Sequence, residues 1–82
     1  MFRKMKVVVM SPEKTLYSDF ANSVVVPGTK GAFEILENHA PIISSLQRGI
    51  VQIINNGNLT EISAESGFVE VSHNEVSICI EQ

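Results

Sequence analysis

The sequence predicts an all-β fold, a sandwich or barrel of short, mainly antiparallel strands. Three observations carry this. Extended runs of roughly 4 to 7 residues, about nine in number, recur along the whole chain between turn-forming clusters. Asn56-Gly57 stands between two such runs, and an Asn-Gly pair in that position favours a tight hairpin because both residues accept positive φ. No window of about 11 residues carries a helical period of apolar side chains.

Met5 to Met10, rich in valine, reads as the first strand. Ser11-Pro12-Glu13-Lys14 is a turn with proline at its second position. Thr15 to Phe20 is a short strand with Leu16, Ser18 and Phe20 on one face and Tyr17 and Asp19 on the other. Ser23 to Val26 follows, and Pro27 ends it. Ala32 to Leu36 is the strand inside the next loop. Pro41 to Leu46 is an apolar-to-polar stretch, for which a short helical turn within Ala40 to Arg48 is the alternative reading. Gln47-Arg48-Gly49 turns the chain into Ile50 to Ile54. After the Asn55–Asn58 turn, Leu59 to Ala64 alternates, with Leu59, Glu61 and Ser63 opposed to Thr60, Ile62 and Ala64. Gly67 to Val71 places Val69 and Val71 on one face. His73-Asn74 turns again, and Glu75 to Ile80 aligns Val76, Ile78 and Ile80.

The distinctive stretch is Pro27 to Pro41, which holds two of the three prolines and two of the five glycines. Pro27-Gly28 and Gly31 suit a sharp turn. Phe33, Ile35 and Leu36 are expected to anchor the middle. Asn38-His39-Ala40-Pro41 makes a second turn, with Ala40 held extended by the proline after it.

The 82 residues suffice for one domain, taken as 1–82. The net charge is −3, and only six Lys and Arg are present, three of them (Arg3, Lys4, Lys6) at the N-terminus. Nucleic-acid binding is not expected without a basic face. The single cysteine, Cys79, cannot form an internal disulfide. The apolar run Val7 to Met10 is too short for a signal core, and no run approaches the roughly 20 residues that cross a bilayer. The chain is expected to be soluble by itself and to meet a membrane only through a partner.

Catalytic, cofactor and metal sites are not expected. His39, Ser44 and Cys79 have no spacing that suggests a nucleophile and its base. Cys79 reads as a half-buried small hydrophobe on a strand face with Ser77 and Glu81. His39 reads as a turn residue whose ring fixes the backbone, with partner contact as the second role. Gly28, Lys30 and Gly31 lack the spacing of a phosphate loop and the helix that would follow one. Two histidines and one cysteine are too few for a protein-only zinc site without carboxylates at unconvincing spacings. The residues alone thus describe a small β binding module.

The order of residues goes further. Val8-Val9-Met10-Ser11-Pro12-Glu13-Lys14 with Leu16-Tyr17-Ser18 resembles the opening of the epsilon chain of rotary proton-translocating ATP synthases. Pro27-Gly28 through Gly31-x-Phe33, then Ile35-Leu36-x-Asn38-His39-Ala40-Pro41, is similar to that family's best-marked motif. Gly49-Ile50-Val51, Ile62-Ser63, Gly67-Phe68-Val69-Glu70-Val71 and Asn74-Glu75-Val76-Ser77 continue the likeness over essentially the whole chain. The resemblance implies a flattened β-sandwich of about nine to ten strands. It implies a non-catalytic subunit of the central rotor, peripheral on the cytoplasmic side of a bacterial membrane. Its partners would be the gamma chain, which is the axle, and the membrane c-ring, with no cofactor and no small-molecule substrate.

Carried over residue by residue, the resemblance assigns Gly28, Thr29, Lys30, Gly31 and Ala32 to the c-ring contact. It assigns Ser11, His39, Ala40 and Pro41 to the gamma-chain contact. Glu34 stands where many members have glycine, Glu37 where many have proline, and Ser66 where many have glycine. Glu34 and Glu37 are expected to add negative charge close to the ring-facing turn. Many relatives continue into a C-terminal helical hairpin that can restrain ATP hydrolysis. A chain that stops at Gln82 is expected to couple rotation without that brake. The competing function is a free-standing sandwich that binds a carbohydrate or small ligand. That role calls for exposed aromatics on one face, whereas Phe20, Phe33 and Phe68 read as structural.

Overall fold

Strands that alternate β-branched with small or polar residues can each bury one face, and here they do so in two layers. The computed structural model describes residues 4–82, so Arg3 of the N-terminal basic cluster lies outside the described residues. Among the described residues nine strands run in order: β1 (Met5–Met10), β2 (Thr15–Ala21), β3 (Ser23–Val26), β4 (Phe33–Leu36), β5 (Ile42–Leu46), β6 (Gly49–Asn55), β7 (Asn58–Ala64), β8 (Ser66–Ser72) and β9 (Glu75–Glu81). None of the described residues is helical. The stretch after Pro41 is therefore strand β5; the helical-turn alternative is excluded.

One sheet has the order β2-β1-β9-β8-β5 and the other β4-β3-β6-β7. All pairings are antiparallel except β1 with β9. The β6–β7 turn is the hairpin that Asn56-Gly57 predicts. Asn55 faces Asn58, and the central residues have φ of 53° and 81°.

Among the described residues, sixteen apolar residues are buried between the sheets, all aliphatic. Met5, Val7 and Val9 of β1 meet Val76, Ile78 and Ile80 of β9 and Val69 and Val71 of β8 from one side. Val24, Val26, Ile35, Val51 and Ile53 come from the other. Each such side chain contributes about 1.5–3 kcal/mol of transfer free energy. No described aromatic is fully buried. Phe33, like Tyr17, is half-buried and packs on the rim of this core.

Two aromatics differ from the sequence expectation. Phe20 and Phe68 are each 50% exposed, on the outer face of the larger sheet. Strand parity explains both. Phe68 lies between buried Val69 and the Gly67 position, so it must point away from the core. Phe20 pairs with Lys6, whose ammonium lies 5.4 Å from the ring centroid.

The expected face pattern of β2 holds from Tyr17 to Phe20 and fails at Leu16. The register with β1 shifts after Val9, which faces Tyr17, so that Met10 faces Thr15 and Leu16 is extra. This β-bulge lets Leu16 and Tyr17 both pack against the core.

Candidate functional site

Pro27 to Pro41 crosses from one end of the sandwich to the other and makes a differently built turn at each. At the first, Gly28 bridges to Leu46 and Gln47 N donates to Pro27 O at 2.8 Å. Gly31 N donates to Gly28 O at 2.9 Å, closing the turn. A side chain on Gly28 would place its Cβ 2.7 Å from Gly31 O and 3.0 Å from the Phe33 ring, so this position requires glycine. Thr29 N donates to Ser45 O at 3.1 Å, and the two hydroxyls lie 2.9 Å apart. Lys30, Gly31 and Ala32 are exposed beyond this anchor.

The second turn is tied by side chains. Asn74 Oδ1 accepts from Asn38 N, and Asn74 Nδ2 donates to Asn38 Oδ1 at 3.1 Å. Asn38 has φ of 62° and Asn74 of 59°, a region Asn tolerates. His39 N donates to Leu36 O at 3.2 Å, and its Nδ1–H donates to Ala40 O at 2.7 Å. The imidazole is thus engaged within its own turn, and Ala40 and Pro41 remain exposed.

The residues assigned to the gamma chain do not form one cluster. Ser11 follows Met10, which pairs with Cys79, at the Gly28 end of the larger sheet. Pro41 precedes Ile42, which pairs with Val71 at the other end. Ser11 Oγ donates to Lys14 O at 3.2 Å and accepts from Lys14 N at 3.3 Å, so its hydroxyl serves the β1–β2 turn. Glu37 lies in the Asn38 turn, at the far end of β4 from Gly28–Ala32, and Glu34 faces out of the smaller sheet beside Val25. The expected negative charge close to the first turn is therefore supplied by Glu34, two residues after Ala32, and not by Glu37.

What joins these positions is the outer face of the larger sheet. Met10, Cys79, Phe68 and Ser45 are successive cross-strand partners, and Thr29 extends the row. A groove of about 370 Å³ follows its apolar part, with Met10, Pro12, Phe68 and Cys79 in its lining. The next row is Val8, Ser77, Glu70 and Ile43, and Ile43 is 74% exposed. Exposed apolar residues thus lie between the Ser11 corner and the Pro41 corner. Sequence reading missed Phe68 and Ile43 as surface residues. The parity of Phe68 against Val69 and Val71 was the signal for the first.

Nothing in this face suggests bond-making chemistry. No group of three or more His, Cys, Asp or Glu among the described residues is placed to hold a metal. The Tyr17 hydroxyl is held above its ordinary pKa by burial and then by the charge of Asp19, and it donates to Phe20 O at 2.9 Å on β2, away from the groove. No helix among the described residues is long and apolar enough to cross a membrane.

Residues 4–82 match the family model of the ATP synthase delta/epsilon chain β-sandwich domain. The chain belongs to this family. It is 48% identical over 75 residues to the ATP synthase epsilon chain of Leptospira interrogans, covering 92% of the present chain and 59% of the relative. It is 46% identical over 70 residues to that of Desulfitobacterium hafniense, covering 85% and 53%. This epsilon-type chain therefore spans little more than half the length of the curated relatives it matches. Its fold is similar to a chain in the OSCP/F1/c-ring structure of the Euglena gracilis mitochondrial ATP synthase, with a TM-score of 0.91 at 15% identity, covering 96% of this chain and 51% of that one. A chain in the central stalk/c-ring structure of the Tetrahymena thermophila enzyme gives 0.83 at 16%, covering 98% and 65%. At these identities the two structures bear on the fold alone.

Proposed function

We propose that this domain is a non-catalytic part of the rotor of a membrane-associated ATP synthase, joining the gamma axle to the c-ring. The family match over residues 4–82 carries this reading. The row of half-buried Met10 and Cys79 with exposed Phe68 supports a protein contact for the outer face of the larger sheet. Apolar side chains around a shallow groove suit a packed protein interface better than a polar ligand. In this reading the gamma chain covers that face between the Ser11 corner and the Ala40–Pro41 corner. The Gly28–Ala32 turn reaches the polar loops of the c-ring, and the domain lies on the cytoplasmic side of a bacterial membrane through these partners. Sugar recognition is disfavoured, because Phe68 is the only aromatic among the described residues that line the groove.

Co-expression with the gamma chain of the same organism tests this. The two chains are expected to co-migrate in size-exclusion chromatography. Phe68→Glu should weaken the complex at least tenfold, the scale of one lost interface anchor, while leaving the melting curve of the isolated domain in place. Failure of the unmodified pair to co-migrate would remove the rotor assignment. Undiminished binding by Phe68→Glu would move the axle contact to another face.

A further inference from the structure

We propose that Asn56 is a site of spontaneous, self-catalysed modification: the backbone nitrogen of Gly57 attacks the Asn56 carboxamide, and the folded hairpin sets the rate. This does not depend on the rotor assignment.

The chemistry needs no cofactor. Loss of the Gly57 amide proton to base leaves a nitrogen nucleophile one residue along from Asn56 Cγ. The new N–Cγ bond forms, the Cγ–Nδ2 bond breaks, and ammonia leaves, giving a five-membered cyclic imide. Water then adds to either imide carbonyl. One product is aspartate and the other isoaspartate, in which the main chain runs through the former side-chain carbon.

Three features single out Asn56 among the six asparagines. Only Asn56 is followed by glycine, so no side chain crowds the attacking nitrogen. Space around Gly57 is open, with nothing within 4 Å of where a Cβ would stand. Among the described residues neither the Asn56 carboxamide nor the Gly57 N–H is hydrogen-bonded, and Asn56 is exposed. The carboxamides of Asn22, Asn38, Asn55 and Asn74 are each tied to a partner. Asn58 has no such tie among the described residues but precedes the bulky Leu59.

The fold also restrains the reaction. Asn56 N donates to Asn22 Oδ1 at 2.8 Å, which pins the hairpin tip to the β2–β3 junction. Asn56 sits at φ 53° and Gly57 at φ 81°, a tight turn that must open before the nitrogen can approach Cγ. Asn22 is therefore a restraint on the rate. The two products differ in consequence. Aspartate suits the same turn, since Asp-Gly accepts this geometry. Isoaspartate adds a backbone atom to a two-residue loop and is incompatible with the Asn55–Asn58 pairing.

The test is incubation of the purified chain in mildly alkaline buffer, with peptide mass analysis over time. The expected result is a gain of one mass unit confined to the peptide holding Asn56, resolving into an aspartate and an isoaspartate form. Asn56→Gly keeps the turn and should abolish the gain. Asn22→Ala should speed it roughly threefold to tenfold, the weight of one hydrogen bond in an opening equilibrium. The isoaspartate fraction should melt below the aspartate fraction. Equal gains at the other asparagines would overturn the assignment. So would reaction of the denatured chain at Asn56 while the folded chain stays unchanged over many times that period. An Asn22→Ala rate equal to that of the unmodified chain would overturn control by the hairpin anchor.

Discussion

The two turns of the Pro27–Pro41 segment solve the same problem by opposite means. The Gly28 turn is shaped chiefly by main chain against main chain, with glycine supplying the clearance and one Thr29–Ser45 hydroxyl pair added. The Asn38 turn is shaped by side chains, through the reciprocal Asn38–Asn74 pair and the His39 ring. A turn fixed by its backbone leaves side chains free to meet a partner. Lys30 accordingly makes no ion pair with any described residue. A turn fixed by side chains has used them, so the second offers Ala40 and Pro41 as surface while His39 holds the shape. The two carry different costs when altered, and substitutions can separate them.

The largest effect is expected at Gly28. Gly28→Val puts a branched side chain where Gly31 O and the Phe33 ring already stand. A loss of about 3 kcal/mol follows from overpacking. Phe33→Ala should cost about 2 kcal/mol, below the figure for a fully buried ring because Phe33 is only half-buried. The two residues touch, so removing the ring should relieve part of the Gly28→Val strain. Denaturant unfolding of both single variants and the double variant reads this directly. Strict additivity would mean that the ring and the glycine do not share the space.

Asn74→Gly is the matching test of the second turn. Glycine keeps the positive φ at this position, so the change isolates the lost hydrogen bonds from backbone strain. Because Asn38 N loses its acceptor at an exposed site, about 1 kcal/mol is expected. A cost equal to that of Gly28→Val would abolish the distinction between the turns.

This contrast was only partly legible in the sequence. Alternation located the strands, and Asn56-Gly57 located the hairpin, because both signals are local. Glycine at 28 and 31 marked the first turn correctly. The Asn38–Asn74 pair was hidden because its members are 36 residues apart, and only the sheet order brings them together. The β2 bulge was hidden because it arises in the pairing with β1. Phe68 was legible and misread: an aromatic residue suggested core, but its parity with Glu70 placed it outside. The contact assignments at Ser11 and at Ala40–Pro41 named two corners, and the apolar rows between them came only from the register.

The smallest change in stability, and the sharpest use of the comparison, is expected at Lys30. Its ammonium lies beyond the Thr29–Ser45 anchor and supports no part of the turn. Lys30→Glu should therefore alter unfolding free energy by less than about 0.5 kcal/mol. If the Gly28–Ala32 turn meets the c-ring through charge, the same substitution should weaken proton pumping per ATP hydrolysed in the assembled enzyme. The defect should shrink as salt is raised, since screening acts over about 10 Å at moderate ionic strength. Lys30→Gln should fall between the two. A salt-independent defect would point to the shape of the backbone turn as the contact. Full coupling in Lys30→Glu would remove the ammonium from the interface, leaving Gly28, Thr29, Gly31 and Ala32 as the residues to test.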